Sequence, residues 1–120
     1  EPEAHLYPES QYSIVRLLAL LANMNKNNQI LITTHSPYIL VALNNLLAAS
    51  CYGEKHPEEI AKIINRKFWI NINEIQALAF SADGMARDIV DRELCMIKAE
   101  EIDSASAVMN EEYDKIASFE

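Results

Sequence analysis

Two short stretches of this chain hold residue types that could do chemistry together. One is the opening Glu1-Pro2-Glu3-Ala4-His5-Leu6-Tyr7-Pro8; the other is Ile30-Leu31-Ile32-Thr33-Thr34-His35-Ser36-Pro37. A carboxylate such as Glu1 can orient and polarise a water. An imidazole beside it, here His35, can donate to an oxyanion or a phosphate oxygen and so report whether a ligand is present. That division of labour suits phosphoryl transfer to water, whose loose transition state asks for positioning and charge stabilisation. The same pair could equally bind a metal or serve a hydrolase. Ser36 beside His35 makes a poor serine nucleophile, because the chain has no GxSxG turn.

Two elements must bring these residues together. Pro8 to about Lys26 reads as an amphipathic helix with Ile14, Leu17, Leu18 and Leu21 as its apolar stripe; Asn25, Asn27 and Asn28 break it. Gln29 to Thr34, apolar at three successive positions, reads as a strand covered on both faces, as in a parallel sheet. A helix of about 18 residues carries the chain roughly 27 Å one way, and a six-residue strand returns it about 20 Å. Glu1 and His35 are therefore expected at one edge of a sheet, the edge where open α/β folds bind ligands. Ser36 can cap the helix that follows, and Pro37 suits its first turn.

That second helix is expected from Pro37 to about Ser50, with Leu40, Leu43, Leu46 and Leu47 facing inward and Gly53 just past its end. Pro57 opens a short third helix with Glu58 and Glu59 in its first turn and Ile60, Ile63 and Ile64 packing inward. The periodicity then changes. Ile75 to Ser81 and Met85 to Asp91 flank Asp83-Gly84, the signature of a two-residue hairpin turn within residues 74–91. Phe68 and Trp69 suit a core or interface better than a base-stacking platform. From about Ala99 to Phe119 the helical period returns, with an apolar face and an acidic one. The order implies an α/β domain whose earlier strands are absent.

Composition narrows the classes. Half of the 120 residues are hydrophobic and six are Gly or Pro, so one small globular domain is expected. The longest apolar run, Ile14 to Met24, is too short and too interrupted for a membrane span. Residues 1–90 carry nine acids against seven bases, and residues 91–120 carry nine against three. Such a surface repels phosphate backbones, so DNA is expected only through some other part of a larger protein. Cys51 and Cys95 lack metal-ligand spacing and are expected as reduced core thiols of a cytoplasmic protein. The chain begins without Met and is read as the carboxy-terminal part of something longer.

The two stretches also carry a resemblance. Glu1-Pro2-Glu3-Ala4-His5-Leu6-Tyr7-Pro8 followed by Thr33-Thr34-His35-Ser36-Pro37-Tyr38 closely resembles the end of the ATP-binding-cassette-type ATPase domain. Within that fold it is similar to the RecF/SMC-like group of bacterial AAA-labelled ATPases, which includes the OLD-type nucleases and related phage-defence ATPases. The resemblance implies a partial P-loop NTPase domain with parallel strands flanked by helices, then a β-hairpin and a C-terminal helix. It makes residues 1–8 the end of the Walker B strand and the D-loop, and residues 29–37 the switch-histidine strand. Glu1 would be the catalytic carboxylate and His35 the γ-phosphate contact. Ala4, His5 and Leu6 would form the D-loop that crosses a dimer interface. His5 on its own would otherwise pass as a surface histidine, and Glu3 as a hinge residue. The acid that helps hold Mg²⁺ in that family would precede Glu1.

The departures bear on activity. No GxxxxGK[ST] phosphate loop occurs, and Gly53 and Gly84 cannot supply one. The family's signature motif is missing too. ATP and Mg²⁺ are thus implied for a parent protein, with neither expected on this chain alone. The implied partners are the N-terminal half of the ATPase domain and a second copy, because an unpaired strand edge invites pairing. The competing reading is a non-catalytic interaction or oligomerisation module that retains the fold only.

Overall fold

The computed structural model describes residues 1–98 and 116–117. Three helices, each opened by proline in its first turn, lead into two small hairpins. They are α1 (Pro8–Met24), α2 (Pro37–Gly53) and α3 (Pro57–Ile63). Proline suits that position because its missing N–H would have no partner there anyway. The asparagines end α1 as expected. Asn28 Nδ2 donates to the Leu21 carbonyl at 2.7 Å, and Asn25 Oδ1 accepts from the Asn27 N–H at 2.9 Å. Short 3-10 turns follow α3 at Arg66–Phe68 and Ile72–Glu74, each capped by the asparagine before it.

α2 is the central element because it is apolar on two faces. Ile39, Ala42, Leu46 and Ala49 meet Val15 and Ala19 of α1, with Ile64, Phe68 and Trp69 closing that core. Leu40 and Leu47 face the other way, onto Ile72, Ile89 and Ile97. Asn44, half-buried among these apolar positions, makes two hydrogen bonds. Its amide accepts from the Ile97 N–H at 2.7 Å and donates to the Ile97 carbonyl at 3.0 Å, as a neighbouring strand would. Helix α2 runs three residues beyond the expected Ser50.

The sheets differ from expectation. Both are two-stranded and antiparallel: β1 (Leu78–Phe80) with β2 (Ala86–Asp88), and β3 (Val90–Asp91) with β4 (Met96–Ile97). Gln29–Thr34, expected as a parallel strand, pairs with no described residue and forms no ladder. The physical reason is that a strand is defined by its neighbour: three apolar side chains can favour extension but cannot supply the missing partner. The turn of the first hairpin is also longer than expected. Phe80 opposes Ala86, and the Ser81 N–H reaches the Met85 carbonyl at 3.1 Å, which leaves a three-residue loop. Gly84, at φ +79°, supplies the left-handed residue that such loops require. Asp83 Oδ1 holds the loop by accepting from the Met85 N–H and the Ser81 hydroxyl.

Burial corrects three further readings. In α1 the sealed line is Gln11, Val15 and Ala19, whereas Leu17 and Leu21 are exposed. Together with Met24 they leave an apolar line uncovered along the helix, and Leu31 is 93 % exposed on the extended segment. Ile63 faces solvent rather than the core. Cys51 and Cys95 are half-buried and joined in a disulfide across a separation of 44 residues, not free core thiols. The longer α2 brings Cys51 level with the β3–β4 loop, a proximity that linear spacing does not reveal. The C-terminal helix expected over residues 99–119 falls outside the described residues, apart from Ile116 and Ala117, which are helical and exposed.

Candidate functional site

Glu1 and His35, 34 residues apart, meet at the surface. His35 Nδ1 lies 2.9 Å from Glu1 Oε1, and both side chains are largely exposed. A carboxylate can only accept, so the hydrogen of that contact sits on Nδ1, and Nε2 is left for a ligand. An exposed pair of this kind contributes little to stability, so other contacts must hold it in place.

Those contacts lie just beneath, in a buried polar chain. The Gln11 side-chain amide donates to the Leu6 carbonyl at 3.0 Å and accepts from the Ser36 hydroxyl at 2.6 Å. The Ser36 N–H donates to Thr34 Oγ1 at 3.0 Å, and the Thr34 hydroxyl donates in turn to Glu3 Oε1. The Glu3 carbonyl closes the ring by accepting from the Leu6 N–H at 2.9 Å. Glu3, Gln11 and Ser36 are all buried, and His35 sits between two members of this network. Ser36 occupies the N-cap of α2, but its hydroxyl serves Gln11 instead of capping the helix. The terminal ammonium of Glu1 also donates to Thr33 Oγ1 at 3.3 Å.

Ala4, His5 and Leu6 form an exposed turn above this ring. The Ala4 N–H reaches the Glu1 carbonyl at 3.3 Å, and His5 adopts φ +64°, an uncommon backbone state for a residue with a side chain. Beside Glu1, the residues Pro2, Leu18, Ile30, Leu31, Ile32 and Thr33 line an open depression of about 500 Å³. Its walls are mostly apolar.

The sequence singles out Glu1, His35 and the Ala4–Leu6 turn, and offers Glu3 as a hinge. It does not single out Gln11, Thr34 and Ser36 as the frame. One signal was available for Gln11: it stands four residues before Val15 and eight before Ala19, a polar side chain on a buried helical line.

Burial works against ionisation of Glu3, but the Thr34 hydroxyl, its own backbone N–H, the terminal ammonium and His35 outweigh it and lower its pKa from the ordinary glutamate value. The Ser81 hydroxyl and the Met85 N–H lower Asp83 likewise. The Leu94 N–H chiefly lowers Asp91, helped by Lys98. Each carboxyl is then more acidic in the folded chain than in the unfolded one, so the unfolded chain takes up protons first as pH falls. The linked stability is complete above the unfolded values and drains away as pH drops through the folded ones. Thermal midpoints are expected to hold down to about pH 5 and to fall below it, with Glu3→Gln flattening part of the decline. A midpoint that rises on acidification would contradict this.

The residues present suit one corner of a nucleotide. One imidazole and one carboxylate fit a terminal phosphate and an attacking water, whereas the sequence holds no GxxxxGK[ST] loop for the remaining phosphates. Among the described residues no group of three or more His, Cys, Asp or Glu side chains is placed to hold a metal ion. No helix there is long and apolar enough to cross a membrane.

Comparison with known proteins places the site in context. A family model described as AAA ATPase domain matches residues 1–40, the span that contains Glu1, the exposed turn, the buried ring and His35. That match supports an AAA-type ATPase fragment. No curated protein and no solved structure matches the chain.

Proposed function

We propose that this chain supplies the water-activating and phosphate-sensing corner of an ABC-type, RecF/SMC-like ATPase domain. The observation that carries the reading is the 2.9 Å contact between Glu1 and His35 inside the matched span. Glu1 keeps Oε1 on His35 and presents its other oxygen to the attacking water. His35, held by Glu1 at Nδ1, offers Nε2 to the γ-phosphate. With Nδ1–H on Glu1, Nε2 accepts in the neutral ring and donates only in the doubly protonated one. The Ala4–His5–Leu6 turn, exposed and held from below, reaches the second subunit of an ATP-dependent dimer. The acid expected before Glu1 would help hold Mg²⁺, which would supply charge neutralisation on the phosphates.

The rest of the ATPase domain would cover the apolar line Leu17, Leu21 and Met24 and pair with Gln29–Thr34. The parent protein is read as a cytoplasmic homo-oligomer, with DNA a possible partner only through its other parts. Calorimetric titration tests the reading. Mg-ATP is expected to bind the longer natural protein at micromolar concentrations and to show no such binding to residues 1–120 alone. Micromolar binding by the short chain would contradict it. Failure of the longer protein to bind would favour the non-catalytic interaction module, to which the uncovered apolar line is equally suited.

A further inference from the structure

The Cys51–Cys95 bridge has no part in the nucleotide reading, and its surroundings suggest a role of its own. Cys51 lies in the last turn of α2, and Cys95 lies in the β3–β4 loop. The two ends of this hairpin are held very differently. At its inner end Ile97 is 1 % exposed, takes both hydrogen bonds from Asn44, and packs with Ile89, Leu40 and Leu47. At its outer end Arg92, Glu93 and Leu94 are exposed. The hydrogen bonds there are local, from the Glu93 and Leu94 N–H groups to Asp91 Oδ1 at 3.1 and 3.0 Å. Cys95 also sits at φ +53°, a costly conformation for a residue with a side chain.

We infer that Cys51–Cys95 is a thiol-reducible latch that sets how tightly the outer end of the β3–β4 hairpin is held on α2. Both cysteines are half-buried rather than sealed, so an incoming thiolate has access to the bridge. A small dithiol is the co-reactant. Its thiolate attacks one sulfur, forming a mixed disulfide and releasing the other cysteine as a thiolate, which takes a proton. Its second thiol then displaces the first cysteine. Two electrons pass to the protein, leaving two cysteine thiols and a cyclic disulfide, and the exchange runs backwards when that oxidised form is in excess. With the bridge open, Cys95 is free to leave its left-handed state, while Asn44 and Ile97 keep the inner end docked.

Hydrogen exchange read by mass spectrometry tests this on the 120-residue chain, oxidised and after reduction with dithiothreitol. Amides of residues 91–96 are expected to exchange about tenfold faster or more on reduction, with α1 and the start of α2 unchanged. Cys51→Ser should reproduce the reduced pattern whether or not reductant is present. Three results would overturn the inference: alkylation of both cysteines without reductant, identical exchange in the two states, or loss of protection throughout the chain on reduction.

Discussion

If the intact protein hydrolyses ATP as proposed, Glu1→Gln is expected to slow turnover by about 100- to 10,000-fold while leaving nucleotide binding in place. Glutamine keeps the shape of the side chain and can still accept from His35 Nδ1, so the 2.9 Å contact and the ring beneath it survive. What it cannot do is accept a proton from water or place a full negative charge beside it. The loss should therefore appear in the rate of hydrolysis and not in affinity, since the interaction removed is one made in the transition state. Single-turnover phosphate release is the appropriate measurement. A decrease smaller than about tenfold would mean that Glu1 is not the group that activates water.

Gly53→Ala is expected to destabilise the chain by about 1–3 kcal/mol, contrary to what helix propensity alone would give. Gly53 is the last residue of α2, and in a helix alanine is favoured over glycine by about 1 kcal/mol. Its position decides otherwise. A methyl group there would lie 2.3 and 2.4 Å from two ring carbons of Trp69, well inside contact distance. The indole is not free to swing aside, because Nε1 donates to the Ile64 carbonyl at 2.8 Å and the ring packs against the core between α1 and α2. Chemical denaturation should show a lower midpoint with altered tryptophan emission. A raised midpoint would show that Trp69 does not occupy this place.

Local features of this fold were legible where one stretch of chain determines them. The three proline-led helices follow from apolar spacing and the first-turn preference of Pro8, Pro37 and Pro57. The meeting of Glu1 and His35 follows from the lengths of the segments between them. Features that depend on a distant partner were not legible. Ile30, Leu31 and Ile32 have the pattern of a doubly covered strand, but covering and pairing depend on what lies beside them. Leu17 and Leu21 join the apolar pattern of α1 yet remain exposed, because α2 packs against the line through Val15 and Ala19 instead. The disulfide and the Asn44 hydrogen bonds to Ile97 span 44 and 53 residues, beyond any local periodicity. Asn44 did leave a trace, as a polar residue among the inward-facing leucines of α2.

The most direct measurement is the side-chain nitrogen spectrum of His35 in the intact protein, with ATP and with ADP, each with Mg²⁺. If Nε2 meets the terminal phosphate while Nδ1 stays on Glu1, ATP will move the Nε2 resonance and ADP will leave it near its unliganded position. Identical His35 spectra with the two nucleotides would contradict the account.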